Sequence, residues 1–136
     1  MIESLKDYEL ILDSDDLVTR RRAATETATP EVWQEILTRR PDLEEEVVFN
    51  KHLPETILEL LVNSNSPRVR SAVAMKRALN EQQFQRLATD TDDSVRIMVS
   101  NNKKTPQVVL EKLVYDSCES VSIAARRQLR DRGNTS

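Results

Sequence analysis

Residues 84–106 read FQRLATDTDDSVRIMVSNNKKTP, and residues 110–125 read LEKLVYDSCESVSIAA. Each stretch sets large apolar residues three apart (Phe84 and Leu87, Leu110 and Leu113), then a polar turn containing an aspartate, then a valine. Offsets of three and four place side chains on one helix face, so each stretch reads as a helix, a turn and a second helix. The valines opening the second helices, Val95 and Val121, stand 26 residues apart. Working outward, Leu17, Leu43 and Val69 extend that column at the same interval. Three positions later come Arg20, Glu46, Ala72, Met98 and Ala124; four positions later come Arg21, Val47, Val73, Val99 and Ala125. The last three copies therefore carry a clean apolar stripe.

A second column precedes the other helix of each repeat. Pro54, Asn80 and Pro106 are again 26 apart, and Leu58, Phe84, Leu110 with Leu61, Leu87, Leu113 mark that helix's buried face. Each repeat is predicted to run from a cap such as Thr105-Pro106 through a first helix and a polar turn into a second helix. Proline suits the first helical position, where its missing N–H has no partner anyway. Ser66, Asp93 and Asp42 are placed to cap second helices by accepting a backbone N–H. Pro30 falls two residues late, which predicts a longer second helix or loop in the first hairpin and a tight turn at Arg40-Pro41. Residues 3–12, with Leu5, Tyr8, Ile11 and Leu12 as apolar positions, predict a capping helix.

The expectation is an all-α solenoid of about five 26-residue helical hairpins, one domain over residues 1–132 with a frayed tail at 133–136. Such hairpins cannot fold alone. A few aliphatic side chains contribute roughly 1.5–3 kcal/mol each when buried, against about 1–2 kcal/mol of backbone entropy per ordered residue. Stacking on neighbours has to supply the rest.

The phrase L-x-x-L-x-x-D-x-x-x-x-V-R-x-x-V-x-x-N, followed by T-P, resembles the variant leucine-rich repeat and, more broadly, the HEAT-like repeats. The resemblance covers the third to fifth repeats. Arg70 and Arg96 keep the arginine of the pattern, whereas Glu44 and Ser122 stand in its place. It implies a right-handed α–α superhelix with extended concave and convex surfaces, used for binding or scaffolding. Some variant leucine-rich repeat proteins hold an iron–sulfur centre on an N-terminal cysteine cluster, which this chain lacks. Other HEAT-like proteins are alkylation glycosylases or bilin lyases, and no residue signature of either is matched here.

Composition limits the chemistry. Hydrophobic residues make up 38% and charged residues 32%, a balance that suits a packed domain. The single glycine, Gly133, leaves no phosphate-cradling loop, dinucleotide fingerprint or nucleophile elbow. The single cysteine, Cys118, permits no internal disulfide or four-cysteine metal site. The N-terminal MIESLKDYEL has no apolar signal core and no run reaches bilayer length, so a reducing cytoplasm is expected. A net charge of −3 argues against a nucleic-acid domain overall while leaving room for a local basic face.

His52 reads as a loop residue with no orienting partner for catalysis, and Cys118 as a plain thiol. The acidic turn Asp90 to Asp93 lacks the glycine and bidentate glutamate of a calcium loop, so capping and pairing to Arg96 account for it. Asp13, Asp15 and Asp16 read likewise as a turn and a cap. Trp33, beside Ile36 and Leu37, reads as core. Basic residues recur on second helices, and Arg22, Arg70, Arg77, Arg96, Lys103 and Arg126 form a candidate partner-binding stripe. Its alternative is structural, with Arg70 and Arg96 pairing to loop carboxylates, and Glu44 to Glu46 interrupt it.

No catalytic, cofactor-binding or metal-ligating residue is expected. The leading reading is a non-catalytic protein-interaction module or scaffold, with an immunity-type inhibitor of a basic effector as its variant and an unidentified protein as partner. The second reading is a nucleic-acid backbone binder using the arginine stripe. The third, a repair-type or lyase-type enzyme, requires a pocket holding Trp33 or a perturbed carboxylate.

Overall fold

The computed structural model describes residues 1–133, which form ten α-helices and one 3-10 turn with no strand. The chain divides into two compact units, Met1–Leu61 and Val62 to the C-terminus. No helix among the described residues is long and apolar enough to cross a membrane.

The N-terminal unit opens with α1 (Leu5–Asp13), α2 (Leu17–Thr25) and α3 (Pro30–Arg39). Ser4, Asp16 and Thr29 start these helices by accepting backbone N–H groups from Asp7, Thr19 and Val32. The predicted capping helix is α1, which buries Leu5, Tyr8 and Ile11 and packs against α2 and α3. Trp33 and Ile36 are the buried face of α3, and the Trp33 ring meets Tyr8 edge-to-face with centroids 5.7 Å apart. Burial raises the Tyr8 phenol above its ordinary value, with the nearby Glu46 charge acting in the same direction.

Two expectations fail around Arg40. Leu43 was expected to open a full second helix, but Pro41–Leu43 forms a 3-10 turn and α4 (Glu44–Val47) is a single turn. Asp42 does not cap it, because the Arg40 guanidinium takes both carboxylate oxygens, at 3.0 and 2.8 Å. The unit closes with most of α5 (Glu55–Val62), which buries Ile57, Leu58 and Leu61.

The C-terminal unit holds α6 (Pro67–Ala74), α7 (Glu81–Ala88), α8 (Asp93–Asn101), α9 (Gln107–Leu113) and α10 (Glu119–Gly133). Helix α8 is packed between α6 and α10, while α7 lies against α6, α8 and α9, and α9 against α10. The apolar columns are its core: Val69, Val95 and Val121 are fully buried, as are Val73, Val99 and Ala125. Phe84, Leu87, Leu110 and Leu113 fill the other side.

The caps differ from expectation in two places. Ser66 caps α6 as predicted, and Asn80 forms a reciprocal capping box with Gln83 on α7. Helix α8, however, is capped by Asp92, and Asp93 is its first helical residue. The Thr105 hydroxyl turns back to donate to the Val99 carbonyl at 2.6 Å, so it closes the end of α8 and leaves the start of α9 without a side-chain cap. Of the tail predicted to fray, Gly133 is the last residue of α10, and 134–136 lie outside the described residues.

Two buried asparagines tie loop backbone to the ends of earlier helices. The Asn102 amide donates to the Ala74 and Lys76 carbonyls, each at 2.8 Å, and its oxygen accepts the Lys104 N–H. Asn50, two repeat lengths earlier, does the same with the carbonyls of Ala23 and Glu26 and the N–H of His52. Each satisfies carbonyls that a helix end leaves without partners.

Candidate functional site

The N-terminal unit carries a groove of about 590 Å³ bounded by the end of α1, one side of α2, Arg40 and the short α4. Its origin lies in the repeat. Positions three and four after the column residue are occupied in the C-terminal unit by Ala72 and Val73, Met98 and Val99, Ala124 and Ala125. In α2 those positions are Arg20 and Arg21, and in α4 the first of them is Glu46; all three line the groove. A helix bearing charge where its neighbours bear methyl groups cannot bury that face, because an unpaired ion is far costlier to desolvate than an aliphatic group.

The consequence is visible in α2, where Ala23 is the one buried residue. Leu17 begins the column that is fully buried at Val69, Val95 and Val121, yet it is 54% exposed. Phe49, just after α4, is 62% exposed, and both side chains line the groove with Leu12 and Leu43. Residues 1–61 hold seven Lys and Arg against fifteen Asp and Glu, an excess of eight negative charges. The groove therefore combines apolar walls with Arg20 and Arg21 of α2, Asp13 at the end of α1 and Glu46 of α4, within an acidic unit.

Arg40 at the groove's edge is fixed, donating to both Asp42 and Glu9, and these pairs raise it further above its already high ordinary value. Arg22 lies outside the groove lining and pairs with Glu26. That guanidinium, together with the N-terminal ammonium at 2.9 Å, holds the Glu26 carboxyl at about 2.

The structure separates the predicted stripe into two kinds of cation. Arg70 and Arg96 are largely enclosed and bound to carboxylates twenty residues on. Arg70 makes two N–H bonds to Asp90 and one to the Ser64 carbonyl, and Arg96 repeats this with Asp116 and the Asp90 carbonyl. Asp90 thus takes Arg70 on its carboxylate, whereas pairing to Arg96 was expected. Burial pushes the Asp116 carboxyl upward, but hydrogen bonds from Arg96 and the Cys118 N–H outweigh it and the net shift is downward. Arg77, Lys103 and Arg126, in contrast, are exposed; Arg77 and Lys103 were expected on second helices but lie beyond the ends of α6 and α8, where they share one surface depression.

His52 is exposed in its loop, and Trp33 lies wholly in the core. The half-buried Cys118 approaches Asp93 at 3.7 Å. Sequence reasoning missed Leu17 and Phe49 as site residues. The signal was present in Arg20 and Arg21 at positions the repeat reserves for its core. No protein-family model, curated protein or solved structure matches the chain.

Proposed function

We propose that this protein is a non-catalytic protein-interaction module that seats a partner segment in the groove of its N-terminal unit. The observation that carries the reading is the placement of Arg20, Arg21 and Glu46 at repeat core positions, with Leu17 and Phe49 left open beside them. The partner supplies an apolar side chain to Leu12, Leu17, Leu43 and Phe49, flanked by charges that answer Asp13, Glu46, Arg20 and Arg21. The acidic excess of residues 1–61 favours a partner that is basic overall, as for a small inhibitor of a basic effector. The lone half-buried Cys118 accords with work in a reducing cytoplasm.

The repeat reading belongs to the same proposal: a right-handed solenoid of about five hairpins of the variant leucine-rich or HEAT-like kind. It is supported by the Arg70–Asp90 and Arg96–Asp116 pairs, which recur at the repeat interval, and by the Asn50 and Asn102 staples, which recur at twice that interval.

The test is affinity capture from lysate of the native source by the wild-type chain and by Leu17→Ala/Phe49→Ala, with and without nuclease. The expected result is a discrete protein, held after nuclease by the wild type and lost by the variant. Both positions are exposed, so unchanged circular dichroism is expected in the variant. Equal retention by the variant, or no protein held by the wild type after nuclease, overturns the reading.

A further inference from the structure

The C-terminal unit has the opposite charge balance. Residues 62–136 hold thirteen Lys and Arg against eight Asp and Glu, an excess of five positive charges that the net figure of −3 conceals. Two of the thirteen, Arg70 and Arg96, are consumed in enclosed pairs. Of the others, Arg77, Lys103 and Lys104 are exposed and stand just beyond the ends of second helices. Arg77 follows α6, Lys103 and Lys104 follow α8, and Arg132 stands near the end of α10.

Side-chain geometry joins these ends into one edge. Arg77 and Lys103 line a shallow depression of about 250 Å³ with Met75, Met98, Asn101 and Asn102, and no carboxylate is in its lining. The Arg132 guanidinium reaches across to donate to the Lys103 carbonyl at 2.9 Å, while Gln128 donates to the Ser100 carbonyl. Among the described residues, no carboxylate pairs with Arg77, Lys103 or Lys104. A helix C-terminus attracts cations, but that attraction fades beyond the last turn. Arg77 lies three residues past Ala74, and Lys104 three past Asn101, so the helix ends do not account for them.

We propose that this edge binds the phosphate backbone of double-stranded nucleic acid without reading its sequence. Adjacent packed helices stand about 8–10 Å apart, so successive helix ends present cations over a span of several phosphates at about 3.4 Å of rise each. Phosphate contact rather than base recognition follows from the residues present. Phe84 is buried and Tyr115 lies after α9, so no aromatic side chain on the edge is available to stack a base.

The measurement is fluorescence anisotropy of a short labelled DNA duplex of mixed sequence, titrated with the full chain across a salt series. Three phosphate contacts, from Arg77, Lys103 and Lys104, predict that affinity falls about 40-fold between about 50 and 200 mM salt. Arg77→Gln/Lys103→Gln/Lys104→Gln removes all three and should bind weakly, with an affinity that hardly changes over the same range. The charge-preserving Arg77→Lys/Lys103→Arg/Lys104→Arg should keep the wild-type slope, which separates lost charge from lost fold. Absence of binding at low salt, or an undiminished slope in the glutamine variant, overturns the proposal. Sedimentation with phosphatidylserine vesicles in place of duplex binding overturns it too, and assigns the edge to a lipid surface.

Discussion

Asn102 shows how much one side chain carries in a fold made of short helices. Helices of eight or nine residues leave a large share of their carbonyls at open ends, and each must find a donor or water. The Asn102 amide serves two such carbonyls, those of Ala74 and Lys76, from within a largely buried position. Asn102→Ala strands both acceptors and should cost about 2 kcal/mol, read as a fall in the thermal midpoint by several degrees. Asn102→Asp should cost more, since it sets a carboxylate against two carbonyls. An alanine variant as stable as the wild type would mean that solvent reaches these carbonyls freely. At the equivalent position between Asn50 and Asn102 stands Lys76, whose ammonium burial pushes below its ordinary value.

Between elements, the repeating tie is the arginine of one second helix bound to the aspartate in the turn before the next. The Arg96 and Asp116 side chains are only 14% and 9% exposed. Removing one partner therefore leaves a mostly buried charge, and Arg96→Gln should cost roughly 3 kcal/mol. Exposed Arg126→Gln should change stability by less than about 0.5 kcal/mol. Chemical denaturation of both variants checks the contrast, and equal effects would contradict it.

The Arg96–Asp116 pair also sets an acid limit. Asp116 is lowered in the folded state, so the unfolded chain binds the extra proton. Its contribution is present at neutral pH and is lost as pH falls through the ordinary carboxylate range. Glu26, held at about 2, loses its contribution in the same direction as pH drops from its ordinary range toward that value. Thermal midpoints at neutral pH and near pH 3 should show a steep loss in the wild type and a shallower one in Asp116→Asn. A variant that declines as steeply as the wild type would remove Asp116 from the account.

At the scale of the whole molecule, two compact units carry opposite charge, and the single tryptophan reports on only one of them. Trp33 is fully buried in the N-terminal unit. Stability is not uniform across a structure and compact units can open separately, so destabilising one unit need not unfold the other. Arg96→Gln should therefore lower the transition seen by far-UV circular dichroism more than the transition seen by Trp33 fluorescence. Coincident shifts would show that the chain unfolds as one cooperative block. The opposed charges bear on recognition in the same way, with a basic protein favoured by residues 1–61 and phosphate by the edge beyond Met75.

The helices and the C-terminal core were legible in the chain because both are periodic, local properties. A valine every 26 residues, with small aliphatic residues three and four positions later, states which helix face is buried before any neighbour is known. Ser66 was readable for the same reason, since a cap acts within three residues. Asp42 was not, because a competing guanidinium next to it in the turn claimed its oxygens. The destiny of each arginine was equally hidden. Arg70 and Arg77 look alike in sequence, but packing brings Asp90 to one and leaves the other among Met75, Met98 and Lys103. The groove, too, depended on packing, because Leu17 is core or surface according to what covers it, and α4 is one turn long. Sequence alone determined periodicity and core; only the tertiary structure decided which charges are paired and which apolar side chains stay open, since both depend on atoms supplied by distant residues.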